Sequence, residues 1–432
     1  MEASIAIWGG VECTINRVGE KYRDQLTANG HDRRLEDLDL FASVRFAKLR
    51  YPVLWETVAP RDPRELSWVW SDERLRRLQE LRIEPIVGLL HHGSGPIYTH
   101  LLDDAFPELF ATYASHVARR YPWVKQFTPI NEPLTTARFS GLYGHWYPHA
   151  RSDAAFARAL FNQCRATVLA MRAIRQINPH AELVATDDLG ETFSTPTIRY
   201  QAEFDNERRW LGWDLMSGKV NAAHPLFRYL LASGLSRKEL DWLTANPCPP
   251  DVIGINHYVT SDRMLHEQWE HFPQSTWGGN GVHRYADTEA VRVLDDYVPG
   301  FQRLLLQTWE RYATPMALTE VHLGCDEDDQ VRWLHQAWRA AHAVRAQGIP
   351  VLALTSWALL GSYDWNSLLT REAGHYEPGA FDVSSGTPRP TKVARALRQL
   401  AEHGAHVLSG RVLERGWWER DSRITVRLTA NA

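Results

Sequence analysis

Two glutamates stand at the ends of apolar, β-prone runs: Glu132 closes FTPINEP (127–133) and Glu320 closes PMALTE (315–320). A strand that reads as core has no reason of its own to finish on an amide and a carboxylate. With Pro133 barring further ladder pairing, either the strand reaches water there or it delivers the carboxylate to a site. Other runs end on residues of similar character: Glu12 or Asn16, Arg50, His91-His92, Thr186-Asp187, Asn256 with Tyr258, and Trp357. Two carboxylates with an arginine, amides, a histidine and aromatics are what hydrolysis of a glycosidic bond needs. In its retaining form one carboxylate attacks the anomeric carbon while a carboxylic acid protonates the departing oxygen, the two standing about 5 to 5.5 Å apart. Their environments must therefore differ. Arg50 and the Tyr258 hydroxyl are suited to hold Glu320 as the anion by charge pairing and hydrogen bonding, while Glu132 sits beside the neutral Asn131.

Those run ends meet only if the strands that carry them open on one face. Eight strand-like runs, SIAIWGGV (4–11), FAKLRYPV (46–53), IEPIVGLLHH (83–92), KQFTPINEP (125–133), AELVATDD (181–188), DVIGINHY (251–258), PMALTE and IPVLALTSW (349–357), alternate with helix-like stretches such as 32–44, 72–81, 109–121, about 154–177 and 328–347. This pattern predicts an α/β fold, a (β/α)8 TIM barrel in a single domain with long βα loops, in preference to an open doubly wound sheet. No G-x-G-x-x-G or P-loop accompanies it. The connections 188–250 and 259–300 are too long to be turns and are expected to form functional walls, the second carrying Trp269, Phe272, Trp277 and Tyr285. Residues 1–405 are expected to make the catalytic domain and 406–432 a C-terminal tail that packs outside the barrel or serves as a linker.

Composition narrows the partners. The chain has 432 residues, 44% hydrophobic and 23% charged, with a net charge of −4, so no basic footprint calls for nucleic acid or an anionic membrane. A small-molecule or oligosaccharide substrate is expected; the sequence sets no oligomeric state. Four dispersed cysteines without a CxxC pair disfavour a disulfide framework or zinc cluster, and MEASIAIWGG does not read as a signal peptide. A cytoplasmic location fits these features. No run approaches the roughly 20 apolar residues of a membrane span. No cofactor or metal is expected: HEQWEH (266–271) lacks the spacing of H-E-x-x-H, and DEDD (326–329) is better read as the start of a helix, where negative charge is favourable.

The motifs resemble, in order, those of family 1 glycoside hydrolases, the β-glucosidase-like (β/α)8 enzymes. TPINEP is similar to their T-x-N-E-P segment and PMALTE to the segment bearing the nucleophile. LRYPVLWETVAP, IEPIVGLLHHGSGP, DVIGINHY and SWALLGSYDW match four further motifs, and the likeness spans roughly residues 5 to 400. The resemblance implies that Glu132 is the acid/base and Glu320 the nucleophile, with Arg50 and Tyr258 orienting it. It also implies that Asn131 holds the sugar 2-hydroxyl, His92 binds another hydroxyl, Trp357 forms the platform, and Asn256, Asp364 and Trp365 complete the pocket. Departures mark a divergent branch. The family's tryptophan after the pocket histidine is Gly93, its glutamate before the final tryptophan is Asp364, and its early glutamine falls by spacing on Asn16, or on Glu12 if the strand enters differently.

The function expected is a retaining β-glycosidase acting on a terminal β-linked sugar through a covalent glycosyl-enzyme, with glucose not assured as the preferred sugar. The alternatives are a transglycosidase and a non-catalytic sugar-binding protein associated with polysaccharide assembly. Strand alternation is expected to send His91 to the core and His92 to the ligand. Trp68 and Trp70 read as packing residues in a turn, and Thr186 and Asp187 equally as supporting hydrogen-bonding groups or as substrate contacts.

Overall fold

The computed structural model describes residues 5–403 and 414–426. Eight parallel strands close a barrel in sequence order: β1 (Ala6–Gly10), β2 (Lys48–Pro52), β3 (Glu84–His91), β4 (Gln126–Asn131), β5 (Glu182–Asp188), β6 (Val252–Asn256), β7 (Met316–Val321) and β8 (Val351–Ser356), which pairs back onto β1. Seven lie within runs that the sequence marks as strands, and β7 extends its run by one residue, to Val321. Register places the candidate residues in one layer. Gly10 pairs with Arg50, His91 with Asn131, and Asn256 with both Asp188 and Glu320.

Outer helices follow the strands: α1 (Asp37–Ala42), α2 (Val69–Glu80), α3 (Phe106–Arg120), α4 (Asp153–Arg175), α5 (Arg237–Ala245), α6 (Phe301–Tyr312), α7 (Glu327–Arg345) and α8 (Lys392–His403). Their starts carry local signals. Ser152 caps α4 through the Ala155 N–H, Ser236 and Glu239 form a capping box on α5, and Asp326 caps α7 through the Asp329 N–H. DEDD is therefore a helix start. Trp70 lies inside α2, where its ring stacks on Tyr51, 6.0 Å between centroids; it is a packing residue, though not in a turn.

The barrel interior changes character along its axis. A plug of Trp8, Ile86, Val184, Val252, Ala317 and Ala353 fills one end, a layer of buried threonines (Thr128, Thr186, Thr319, Thr355) lies above it, and the polar strand ends follow. The larger apolar core sits between strands and helices. The two long connections are folded. Segments Thr192–Ser194, Arg263–His266, Arg284–Glu289 and Trp277–Gly279 form one four-stranded sheet, backed by a small core of Ile198, Ala202, Leu265 and Tyr285.

Of the tail, residues 406–413 and 427–432 lie outside the described residues. Its described part packs on the barrel exterior. Trp418 is fully buried, its ring 5.0 Å from that of Trp333 on α7 and its indole N–H donated to Gln336. No described helix is long and apolar enough to cross a membrane, and no group of three or more His, Cys, Asp or Glu among the described residues could hold a metal ion.

Candidate active site

β4 ends at Asn131, and the next residue leaves the strand sharply. Glu132 has φ 48°, in the left-handed region that non-glycine residues rarely adopt, and Pro133 opens the helix Pro133–Ala137 directly after it. The Glu132 N–H donates to the Thr186 carbonyl, and the Asp187 carboxylate accepts from the Leu134 N–H at 3.1 Å, pinning the turn to β5. Held this way, Glu132 is buried at the strand ends, with 4% of its surface exposed.

Glu320 comes from β7 and is as deeply buried. Arg50 donates through Nη1 to Glu320 Oε1 at 2.9 Å and to the Thr319 carbonyl at 2.8 Å; the Tyr258 hydroxyl donates to Oε2 at 2.6 Å. Both carboxylate oxygens thus have a donor, one of them cationic. Burial pushes the Glu320 carboxyl up to about 7, with Arg50 and the Tyr258 hydrogen bond pulling against it. Glu132 has no such help. Burial and the neighbouring acids Glu320, Asp188 and Asp187 hold its carboxyl well above the usual range, opposed by one amide hydrogen bond. The pair is asymmetric in its support.

That amide is not the one expected. Asn256 Nδ2 donates to Glu132 Oε1 at 2.5 Å, while its Oδ1 accepts from the Thr319 hydroxyl at 2.7 Å. Asn131, the chain neighbour, instead accepts from Arg50 Nη2 at 2.6 Å and from the Thr186 hydroxyl at 2.7 Å. The Asn131 amide is taken up by Arg50, Thr186 and the two histidines, so the sequence neighbour of Glu132 does not serve it. The threonines that set these amides, with Thr136 at 3.1 Å from His92 Nδ1, were not singled out from the sequence, apart from Thr186; their signal is the threonine near the end of β5 and of β7.

His91 and His92 do not go to opposite faces. β3 stops at His91, His92 takes φ 54°, and alternation stops with it. Both Nε2 atoms meet Asn131 Nδ2, at 3.2 and 3.4 Å. Burial lowers both imidazoles, His92 to about 3, so they are neutral near pH 7. Trp357 lies flat against His91, 5.2 Å between centroids, with the Arg50 guanidinium carbon 4.5 Å from its own ring centre, and its indole N–H donates to Glu12 Oε2 at 3.2 Å.

Trp365 places its ring 5.5 Å from His92, but its neighbour Asp364 is otherwise occupied. The Asp364 carboxylate accepts from the His375 N–H at 2.8 Å and the Ala373 N–H at 3.2 Å, bracing its own loop. It is therefore not a free pocket acid. Glu12 accepts from the Thr14 N–H and from Trp357, whereas Asn16, fully buried on the hairpin Ile15–Val18, has no partner for either amide atom. Of the two candidates, Asn16 is the one whose side-chain polar atoms are both unpaired. Glu56, buried beside Gly93, has no motif of its own in the sequence; the glycine after His92 is the one local sign of it.

The model of glycosyl hydrolase family 1 matches residues 5–376. Beta-glucosidase 4 of Oryza sativa subsp. japonica is 24% identical over 415 residues, covering 85% of this chain and 84% of that protein. Phospho-cellobiase of Klebsiella oxytoca is 22% identical over 367 residues, covering 76% and 75%. Among solved structures, the family 1 β-glucosidase from Thermotoga maritima superposes with a TM-score of 0.74 at 14% identity, covering 92% of this chain and 98% of that one.

Proposed function

Because the chain belongs to glycosyl hydrolase family 1, we propose that it cleaves a terminal β-linked sugar with retention of configuration, through a covalent glycosyl-enzyme on Glu320. The observation that carries this reading is the unequal support of the two buried glutamates. Glu320 is clamped by a guanidinium and a phenol hydroxyl and suits the ionised nucleophile; Glu132 has one amide donor and acidic neighbours and suits the proton donor.

In the first step a Glu320 carboxylate oxygen bonds to the anomeric carbon as the glycosidic C–O bond breaks, and the Glu132 proton passes to the departing oxygen. Asn256 donates to Oε1 of Glu132, which leaves Oε2 to carry that proton. In the second step Glu132, now a carboxylate, takes a proton from water. The water oxygen attacks the anomeric carbon, and Glu320 leaves with the electron pair of its ester bond. Asn131, His92, Asn16, Trp357 and Trp365 are the proposed sugar contacts. Asp364 is assigned to bracing the 364–376 loop instead, so selectivity for glucose is not expected of it.

The test is chemical rescue. Glu320→Gly should lower turnover of aryl β-glycosides by about 10³-fold or more, and added azide should restore it with an α-glycosyl azide as the product seen by NMR. A variant that keeps wild-type turnover, or an azide product of β configuration, would overturn the assignment.

A further inference from the structure

Glu56 is a buried carboxyl that the proposed chemistry does not use. Glu56 lies in the short helix Trp55–Val58 after β2 and is 8% exposed. Its Oε1 accepts from the Gly95 N–H at 3.2 Å, while its Oε2 is buried without a hydrogen-bond partner. A Cβ built on Gly93 would stand 1.9 Å from Glu56 Oε1 and 3.0 Å from the Ile15 carbonyl oxygen. The carboxyl therefore fills the space a side chain at position 93 would take, beside the hairpin that carries Asn16. Gly93 follows His92, whose Nε2 stands 3.7 Å from Glu132 Oε2, so this patch adjoins the proposed reacting groups.

Its polar atoms are unusually idle. Both amide atoms of Asn16, Oε2 of Glu56 and the hydroxyl of Ser94 are buried and unpaired within the protein. Each such group left unmet is costly, and native interiors seldom gather several without a ligand or water to complete them. Burial pushes Glu56 up to about 8, and the nearby acid Asp24 adds to the rise. Near neutral pH it is a carboxylic acid, with one donor and free acceptor capacity, as Asn16 also has both. A group of that kind complements a neutral hydroxyl, which both gives and takes a hydrogen bond, and it is poorly suited to a phosphate or a carboxylate.

Resting on the reading of this site as a sugar hydrolase, we propose that Glu56 and Asn16 bind neighbouring hydroxyls of the terminal sugar, and that Glu56 determines which sugar is accepted. Glu56 would then supply a carboxyl on the Gly93 side of the pocket, while Asp364 spends its own on backbone amides.

Binding can be read without turnover. Calorimetric titration of the wild-type protein with 4-nitrophenyl 1-thio-β-D-glucoside, galactoside and mannoside, and with the 3-, 4- and 6-deoxy analogues of the tightest binder, separates this proposal from the hydrolytic one, because thioglycosides resist cleavage. In the wild type, loss of one particular hydroxyl should weaken binding on the order of 10- to 100-fold. In Glu56→Ala that same analogue should bind as well as its parent, and Glu56→Gln, which keeps a donor and an acceptor, should recover most of the discrimination. A Glu56→Ala variant that weakens parent and every deoxy analogue by one common factor would overturn the proposal. So would wild-type protein that binds none of the panel, or discriminates among none of the hydroxyls. Should Glu56→Ala not fold, Glu56→Gln and the wild-type profile decide in the same way: equal indifference to all three deletions contradicts it.

Discussion

Glu132 and Glu320 have the same side chain and nearly the same burial, so their different assignments rest on neighbours alone. The Tyr258 hydroxyl is the neighbour whose removal changes least else. It donates to Glu320 Oε2 at 2.6 Å, which stabilises the anion, so Tyr258→Phe should raise the Glu320 pKa above its value of about 7. On the proposed mechanism kcat/KM needs Glu320 ionised, and a higher pKa moves the acid limb of the pH profile upward. The shift should be on the order of one pH unit, since a hydrogen bond to a charged group is worth about 1.5–3 kcal/mol. The variant should therefore lose more rate at pH 6 than at pH 8. A uniform loss with the acid limb unmoved would contradict the role. At this scale the sequence exposes the Arg50, Tyr258 and Glu320 cluster, because few partners can hold a buried carboxylate. It does not expose the amide of Asn256 on Glu132, which depends on β4 and β6 flanking β5 in the closed barrel. Nor does it expose Glu56, which reads as an ordinary helix acid until the space at Gly93 is seen.

The strands are legible because each is a compact β-branched run ending in residues that a core does not need. The connections are less so. The pattern in 259–300 shows aromatics without revealing that 263–266, 277–279 and 284–289 join 192–194 in a sheet with its own apolar backing, since pairing across some seventy residues leaves no local trace. The tail shows the same limit in RGWWERD. Trp418 is fully buried against Trp333 and Gln336, which makes residues 414–426 part of the outer layer over α7. Trp418→Ala should cost about 3–5 kcal/mol, as large aromatic truncations in cores do, and lower Tm by several degrees. With kcat/KM measured well below that Tm, the rate on aryl glycosides should stay within about twofold of wild type. An unchanged Tm, or a rate collapse in a fully folded variant, would show that this segment acts elsewhere.

Over the whole molecule, the barrel draws the site from distant parts of the chain. Arg50 comes from β2, the histidines from the end of β3, Glu132 from the end of β4, Asn256 from β6 and Glu320 from β7, and only closure of the eight strands gathers them. A chain so arranged should stop at a defined covalent intermediate when its second step is slowed. An activated 2-deoxy-2-fluoro β-glycoside does this. Fluorine at C2 destabilises both transition states, while a dinitrophenolate leaving group restores the first step alone. Incubation with the 2,4-dinitrophenyl derivative of the fastest-cleaved sugar, followed by peptide mass spectrometry, measures the intermediate directly. One fluoroglycosyl group per protein is expected, on the peptide containing Glu320 and esterified to that residue. Stoichiometric label on Glu132 or any other residue, or steady release of dinitrophenolate with no covalent adduct, would contradict it.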